Sequence, residues 1–144
     1  MNTIGIIGAG QMGSGIAQVF AAAGYPVHIL DIADEKLAAG VALIGKNFDR
    51  QIARGKLSEA EKLAALGRIT TGTQYTAFTQ SDLVIEAATE NEVLKREIFK
   101  TLVPYLKPEA IVASNTSSIS ITRLAAATDR PGKFIGMHFM NRCR

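Results

Sequence analysis

Two periods of hydrophobicity alternate along the chain. Short unbroken apolar runs recur, beginning with Ile4–Ile7 and Val27–Leu30, and between them apolar residues return every three or four positions. The runs predict buried strands and the spaced positions predict amphipathic helices. After the first run, Ile16, Val19, Phe20 and Ala23 fall at helical spacing, with Gly24 as the residue past the helix end. A second helix spans Ala33 to about Arg54 through Leu37, Val41, Ile44, Phe48 and Ile52, and Gly55 ends it. Ser58-Glu-Ala-Glu61 has capping-box spacing and opens a third helix through Leu63 and Leu66 to Gly67. The third strand, Arg68–Thr71, is short and sits at an edge. Residues 74–80 are ambiguous, a short helix being one reading. Asp82–Ala87 reads as the fourth strand. Glu90–Tyr105 is a helix with Val93, Leu94, Ile98 and Leu102 on one face, stopped near Pro104 and Pro108. Ala110–Ser114 is the fifth strand, Ile121–Ala127 a short helix and Lys133–Phe139 the sixth strand. Strands that alternate with helices imply a parallel sheet joined by right-handed crossovers. The helical pair between strands two and three makes that connection longer than a crossover requires.

The junction of the first strand and first helix adds chemistry. Gly8, Gly10 and Gly13 are spaced G-x-G-x-x-G between a strand and a helix. Gly8 permits the tight turn, Gly10 lets a pyrophosphate approach the backbone, and Gly13 lets helix and strand pack closely. The free N–H groups at the helix start, with Gln11 and Met12 in its first turn, then hold the anion. Asp31 ends the second strand roughly twenty residues beyond the glycines, where a carboxylate accepts ribose hydroxyls and repels a 2′-phosphate. These features predict a Rossmann-type doubly wound sheet of order 3-2-1-4-5-6 that binds NAD in preference to NADP. No lysine follows the glycines as a P-loop requires, and Gly13-Ser14-Gly15 is not a nucleophile elbow.

Composition narrows the class further. The 144 residues are 47% hydrophobic and 20% charged, as expected of one globular domain with a real core. Sixteen basic against thirteen acidic residues give +3, too little to argue for nucleic acid. The single Cys143 excludes an intrachain disulfide and fits a reducing cytoplasm. No signal peptide precedes Ile4, and the apolar runs are too short for a membrane span. Ligands in such sheets bind beyond the carboxyl ends of the strands. That rule singles out Glu86, Glu90, Asn115, Thr116, Ser117, Ser118, His138 and Asn141. Residues 115–118 are also compatible with a helix cap, and His138 with a hydrogen-bonded core histidine. No Cys/His cluster has metal-ligand spacing.

Four ordered stretches, Gly8-Ala-Gly-Gln-Met-Gly-Ser-Gly-Ile-Ala-Gln18, Glu86-Ala-Ala-Thr-Glu90, Ser114-Asn-Thr-Ser-Ser118 and Gly136-Met-His-Phe-Met-Asn141, closely resemble the 3-hydroxyacyl-CoA dehydrogenases. The bacterial 3-hydroxybutyryl-CoA dehydrogenases are the most similar branch. The resemblance spans residues 1–141 and implies an oxidoreductase of fatty-acid or butanoate metabolism that interconverts L-3-hydroxyacyl-CoA and 3-ketoacyl-CoA with NAD. It assigns catalysis to His138 as general base, with Ser117 on the C3 oxygen of the substrate and Asn141 beside them. It places Glu90 and Lys95 on the nicotinamide and ribose side. Arg50 and Arg54, four apart on the second helix, are candidates for the CoA phosphates, and equally suit a solvated face. Two other readings stay open: a module that binds NAD without turnover, and a dehydrogenase of the 3-hydroxyisobutyrate type.

The resemblance breaks at the end. Family members continue with Pro-Val-Pro, a glutamate partner for the histidine and a helical domain, whereas this chain reads Arg142-Cys143-Arg144. Loss of one C from codons AAC CCG GTG CCG GTG ATG yields Asn-Arg-Cys-Arg and a stop. The expectation is therefore a frameshifted end in which residues 142–144 are a non-family tail and the helical domain is absent. Such a chain binds NAD, is nearly inactive, and self-associates through an exposed strand-six edge.

Overall fold

The computed structural model describes residues 3–116 and 121–137. Strands and helices alternate as β1 (Ile4–Ile7), α1 (Gln11–Ala22), β2 (Val27–Leu30), α2 (Asp34–Ala53), α3 (Glu59–Gly67), β3 (Ile69–Gly72), β4 (Leu83–Glu86), α4 (Glu92–Leu102), β5 (Ile111–Asn115), α5 (Ile121–Ala125) and β6 (Phe134–Met137). Single 3₁₀ turns occupy Tyr75–Phe78, Val103–Tyr105 and Pro131–Lys133. All five strand pairings are parallel, in the order β3-β2-β1-β4-β5-β6. The predicted sheet order and the helical pair between strands two and three are both observed. The tail 142–144 lies outside the described residues, and no described helix is long and apolar enough to cross a membrane.

The sheet buries two cores. On one face, Ile4, Ile6, Val27, Ile29, Leu83 and Ile85 meet Ile16, Ala17, Leu37, Ile44 and Phe48 from α1 and α2. On the other, Ile7, Leu30, Val84 and Val112 meet Phe78, Phe99, Leu102 and Leu124. Such alternation follows from the period of two along each strand. Near-complete burial of strands on both faces is the usual state of a parallel sheet. Phe78 from the ambiguous 74–80 segment is fully buried, because it fills the space over Gly5. A Cβ on Gly5 would stand 2.7 Å from that ring.

Element ends follow local chemistry. Ser58 and Glu61 form the expected capping box, with bonds of 3.1 and 2.9 Å. The fourth helix starts at Glu92, two residues later than its pattern predicts, because the Asn91 side chain accepts from Leu94 N–H at 3.1 Å and caps it. It ends at Leu102, since Pro104 has no N–H to continue it. β3 is displaced by one residue, to Ile69–Gly72, because Arg68 is the C-cap of α3. The face of α4 also differs from its apolar pattern. Lys95, Phe99 and Leu102 are buried, while Val93 and Leu94 are 66% and 52% exposed. Phe99 holds that rotation by packing edge-to-face on Phe134, with centroids 5.1 Å apart. Val19 and Leu63 are likewise exposed.

His28 on β2 adds a pH dependence. Its Nδ1 lies 2.7 Å from Thr70 Oγ1, while its buried Nε2 has no partner among the described residues. Burial pushes its pKa below the usual histidine value of 6.5. The unfolded chain therefore binds the proton more readily, so this contribution to stability is complete above about pH 6.5 and is lost as the pH falls below it. Urea denaturation at pH 7.5 and 5.5 is expected to show lower stability at 5.5, with the drop reduced in His28→Phe. An equal drop in both proteins refutes the assignment.

Candidate functional site

The site begins where β1 meets α1. Gly8 has φ +109°, a left-handed backbone that other residues avoid, and its N–H donates to Leu30 O at 2.8 Å. A Cβ on Gly13 would stand 1.8 Å from Gly8 O, so only glycine lets α1 start this close to β1. Gly40 brings α2 onto the same loop: a Cβ there would stand 2.7 Å from Ser14 Oγ and 2.8 Å from Ala9 O. Ser14 Oγ donates to Ala9 O at 3.0 Å and satisfies that carbonyl.

Gly10 differs from these. It has ordinary extended dihedrals, and a Cβ on it would meet nothing within 4 Å. Its missing side chain answers no packing need of the chain. It leaves open surface before the first N–H groups of α1. The α1 start has no side-chain cap and no acidic residue in its first turn. By contrast α3 and α4 are capped by Ser58 and Asn91, and α2 carries Asp34 and Glu35 in its first turn. The positive end of α1 is thus left for an external anion, next to a backbone with no side chain in the way. The residues present fit a pyrophosphate here.

Asp31 stands beside this loop. Its Oδ2 accepts from Ala9 N–H at 2.9 Å and its Oδ1 from Ala33 N–H at 3.2 Å. Two clefts meet at Gly8, Asp31, Lys36 and Ala88. The smaller, about 300 Å³, runs over Gly10 and Gln11 to Gly40 and Leu43. The larger, about 480 Å³, lies between Leu30, Ile32 and Tyr75 on one side and Thr89, Leu94 and Ile98 on the other. A mostly apolar wall with a few polar groups suits a flat heteroaromatic ring carrying a sugar.

Beneath the Ala88–Thr89 wall lies a buried polar group. Glu86 closes β4 on the α4 face, in register with Ser114 of β5. Its side chain and that of Lys95 are fully buried and ion-paired. Lys95 Nζ also donates to Asn115 O at 3.4 Å.

The predicted residues do not all gather. Gly8, Gly10, Gln11 and Asp31 line the clefts, and Gly13 supports them. The side chain of Met12 packs on the core beneath, so only its backbone belongs to the loop. Glu90 is exposed and accepts from Thr116 Oγ1 at 3.4 Å. Lys95 points inward to Glu86 instead of lining the cleft, because a buried carboxylate needs a counter-charge. Arg50 and Arg54 sit at the far end of α2, with Arg50 about 24 Å along the helix from Asp34 at 1.5 Å per residue. Arg50 Nη1 donates to Asn47 Oδ1 at 3.4 Å. Ser117, His138 and Asn141 lie outside the described residues. Sequence reasoning missed Lys36, Tyr75, Leu94 and Ile98 as cleft residues. The last two carry the helical apolar period, which cannot distinguish a ligand wall from a core.

A family model described as "3-hydroxyacyl-CoA dehydrogenase, NAD binding domain" matches residues 3–144. A 3-hydroxybutyryl-CoA dehydrogenase of Bradyrhizobium diazoefficiens is 54% identical over 138 residues, covering 96% of this chain and 47% of that protein. The crystal structure of (S)-3-hydroxybutyryl-CoA dehydrogenase from Ralstonia eutropha superposes with a TM-score of 0.96 at 50% identity, over 98% of this chain and 50% of that one. The 3-hydroxybutyryl-CoA dehydrogenase of Escherichia coli K12 gives 0.95 at 37% identity, over 99% of this chain and 30% of that one. The chain spans about half the length of the Bradyrhizobium and Ralstonia relatives.

The glycines separate packing from ligand access. Gly13→Ala is expected to cost more than about 3 kcal/mol in urea denaturation, because the methyl group collides with backbone. Gly10→Ala is expected to cost about 1 kcal/mol or less, the difference between Gly and Ala at a helix N-cap. Equal costs overturn this division of roles.

Proposed function

The chain belongs to the 3-hydroxyacyl-CoA dehydrogenases through their NAD binding domain, and we propose that it holds NAD(H) for the interconversion of L-3-hydroxyacyl-CoA and 3-ketoacyl-CoA, 3-hydroxybutyryl-CoA among the substrates. The observation that carries this reading is Gly10, a glycine the chain does not need for itself, before an uncapped helix start and beside Asp31. The first N–H groups of α1 bind the pyrophosphate, and Asp31 accepts the adenosine ribose hydroxyls. Leu30, Ile32, Leu94 and Ile98 exclude water around the adenine. Bound NAD supplies the hydride acceptor. His138 takes the proton of the 3-hydroxyl and Ser117 and Asn141 orient the C3 oxygen, roles that rest on the family resemblance. Glu90 is proposed for the nicotinamide side, Lys95 for the same side by acting through Glu86, and Arg50 and Arg54 for the CoA phosphates. A cytoplasmic setting fits this chemistry. For the 144 residues alone, which match half of their relatives, we propose NAD binding with very low turnover.

The association proposal concerns β6. Among the described residues it is the last strand of the sheet, and Ile135 is 45% exposed. The edge of β6 away from β5, which no other described strand pairs, offers a second copy a strand to pair with. Sedimentation under reducing conditions is expected to show concentration-dependent dimers, and a monomer at high concentration refutes the pairing.

Fluorescence titration tests the cofactor reading. NADH is expected to bind at least tenfold more tightly than NADPH, whose 2′-phosphate meets Asp31. Asp31→Ala is expected to narrow that ratio, and Gly10→Ala to weaken NADH without unfolding the chain. Equal affinities of the wild-type chain for both nucleotides overturn the role of Asp31.

A further inference from the structure

The buried carboxylate of Glu86 does more than neutralise Lys95. Its Oε2 accepts from two successive backbone donors, Ala88 N–H at 2.8 Å and Thr89 N–H at 3.3 Å. Its Oε1 accepts from Ser114 Oγ at 2.9 Å and from Lys95 Nζ. One side chain therefore fixes a turn, a strand and a helix at once. The turn is the one that matters to the clefts, since Ala88 and Thr89 form the wall facing Gly8 and Asp31. Ala88 also backs onto the glycine turn, where a Cβ on Gly8 would stand 2.8 Å from Ala88 Cα. A shift of the 87–89 turn would close the cleft or pull its wall away.

Lys95 shows that the carboxylate is present for its charge. A cation one turn into a helix is poorly placed against the helix dipole, and a buried ion pair is seldom better for stability than apolar residues of the same size. With Lys95 as its counter-charge, the buried carboxylate accepts at both of its oxygens. An ionised acceptor binds backbone N–H more strongly than a neutral one does. Through Lys95 the same carboxylate is tied to Asn115 O at the end of β5, immediately before the segment assigned to substrate.

We propose that Glu86 is a positioning residue of the dinucleotide cleft, which sets the 87–89 turn through its two backbone hydrogen bonds and links that turn, by Lys95 and Ser114, to the end of β5. This inference rests on the reading of the cleft as an NAD site and deepens it.

Two double variants test it, both lacking the lysine so that no unpaired charge is buried. Glu86→Gln with Lys95→Met keeps an acceptor for Ala88 and Thr89. Glu86→Leu with Lys95→Met removes it at similar volume. NADH affinity is read by fluorescence, and amide hydrogen exchange at Ala88 and Thr89 is followed without ligand. The Leu variant is expected to bind NADH at least tenfold more weakly than the Gln variant, and to exchange both amides at least tenfold faster. Equal affinity and equal exchange in the two folded variants overturn the proposal. If the Leu variant does not fold, Glu86→Asp serves, because it keeps the charge for Lys95 but draws the carboxylate back from the turn. It is expected to weaken NADH tenfold with its melting transition retained, and unchanged affinity overturns the proposal. A wild-type chain that fails to bind NADH refutes the cofactor reading separately, and the exchange comparison then judges Glu86 by itself.

Discussion

The contact between Gly13 and the Gly8 carbonyl is the constraint on which the rest of the molecule depends. It sets the distance between the central strand and its first helix at a value no side chain permits. From that distance follow the direction of α1, the position of α2 against it at Gly40, and the alignment of the α1 dipole with the end of β1. Two polar contacts fix the arrangement where packing alone would allow sliding. Ser14 Oγ bridges back to the loop, and the buried Asn47 and Gln18 amides pair at 3.0 Å between the two helices. A slip along the helices would strand both amides without partners in an apolar interior, at a cost of about 1–3 kcal/mol each.

Across the sheet, the residues in register at the carboxyl ends are Gly72, Leu30, Ile7, Glu86, Ser114 and Gly136. The row turns from apolar to polar at its middle. The apolar half floors the larger cleft, while the polar half is covered by Lys95. Across the fold, the face under α1 and α2 is closed mainly by aliphatic side chains around Phe48, with one buried amide pair, and the face under α4 mixes aromatic packing with one buried charge cluster. This asymmetry places the only fully buried ion pair among the described residues where strand ends give way to ligand surface.

Much of the architecture was legible because its causes are local. A glycine needed for a turn, a serine that caps a helix and a proline that stops one all act within a few residues, and the parallel sheet follows from the alternation of the strands and helices they delimit. The glycine fingerprint and Asp31 were legible for the same reason. The pairing of Lys95 with Glu86 was not, since the two lie on different elements and only the assembled sheet brings them together. Leu94 and Ile98 misled in another way. Their spacing marks an apolar surface but cannot say whether protein or a cofactor covers it, and the larger Phe99 took the core position. Gly40 carried no sequence signal at all, because its role depends on where α1 lies.

Asp31 has a consequence for how such a domain can change over time. One of its oxygens already holds the Ala9 amide, so the group proposed to read the sugar also fastens the loop proposed to read the phosphates. The two tasks cannot drift apart by single substitutions. A lineage that exchanged this acid for a small or basic residue, to welcome a 2′-phosphate, would release the loop in the same step. It would first need another acceptor for the Ala9 amide. With Asp31 in its proposed role, cofactor choice in this domain is held by the geometry of the free protein as well as by repulsion in the bound one, and a redesign of that choice begins at Ala9.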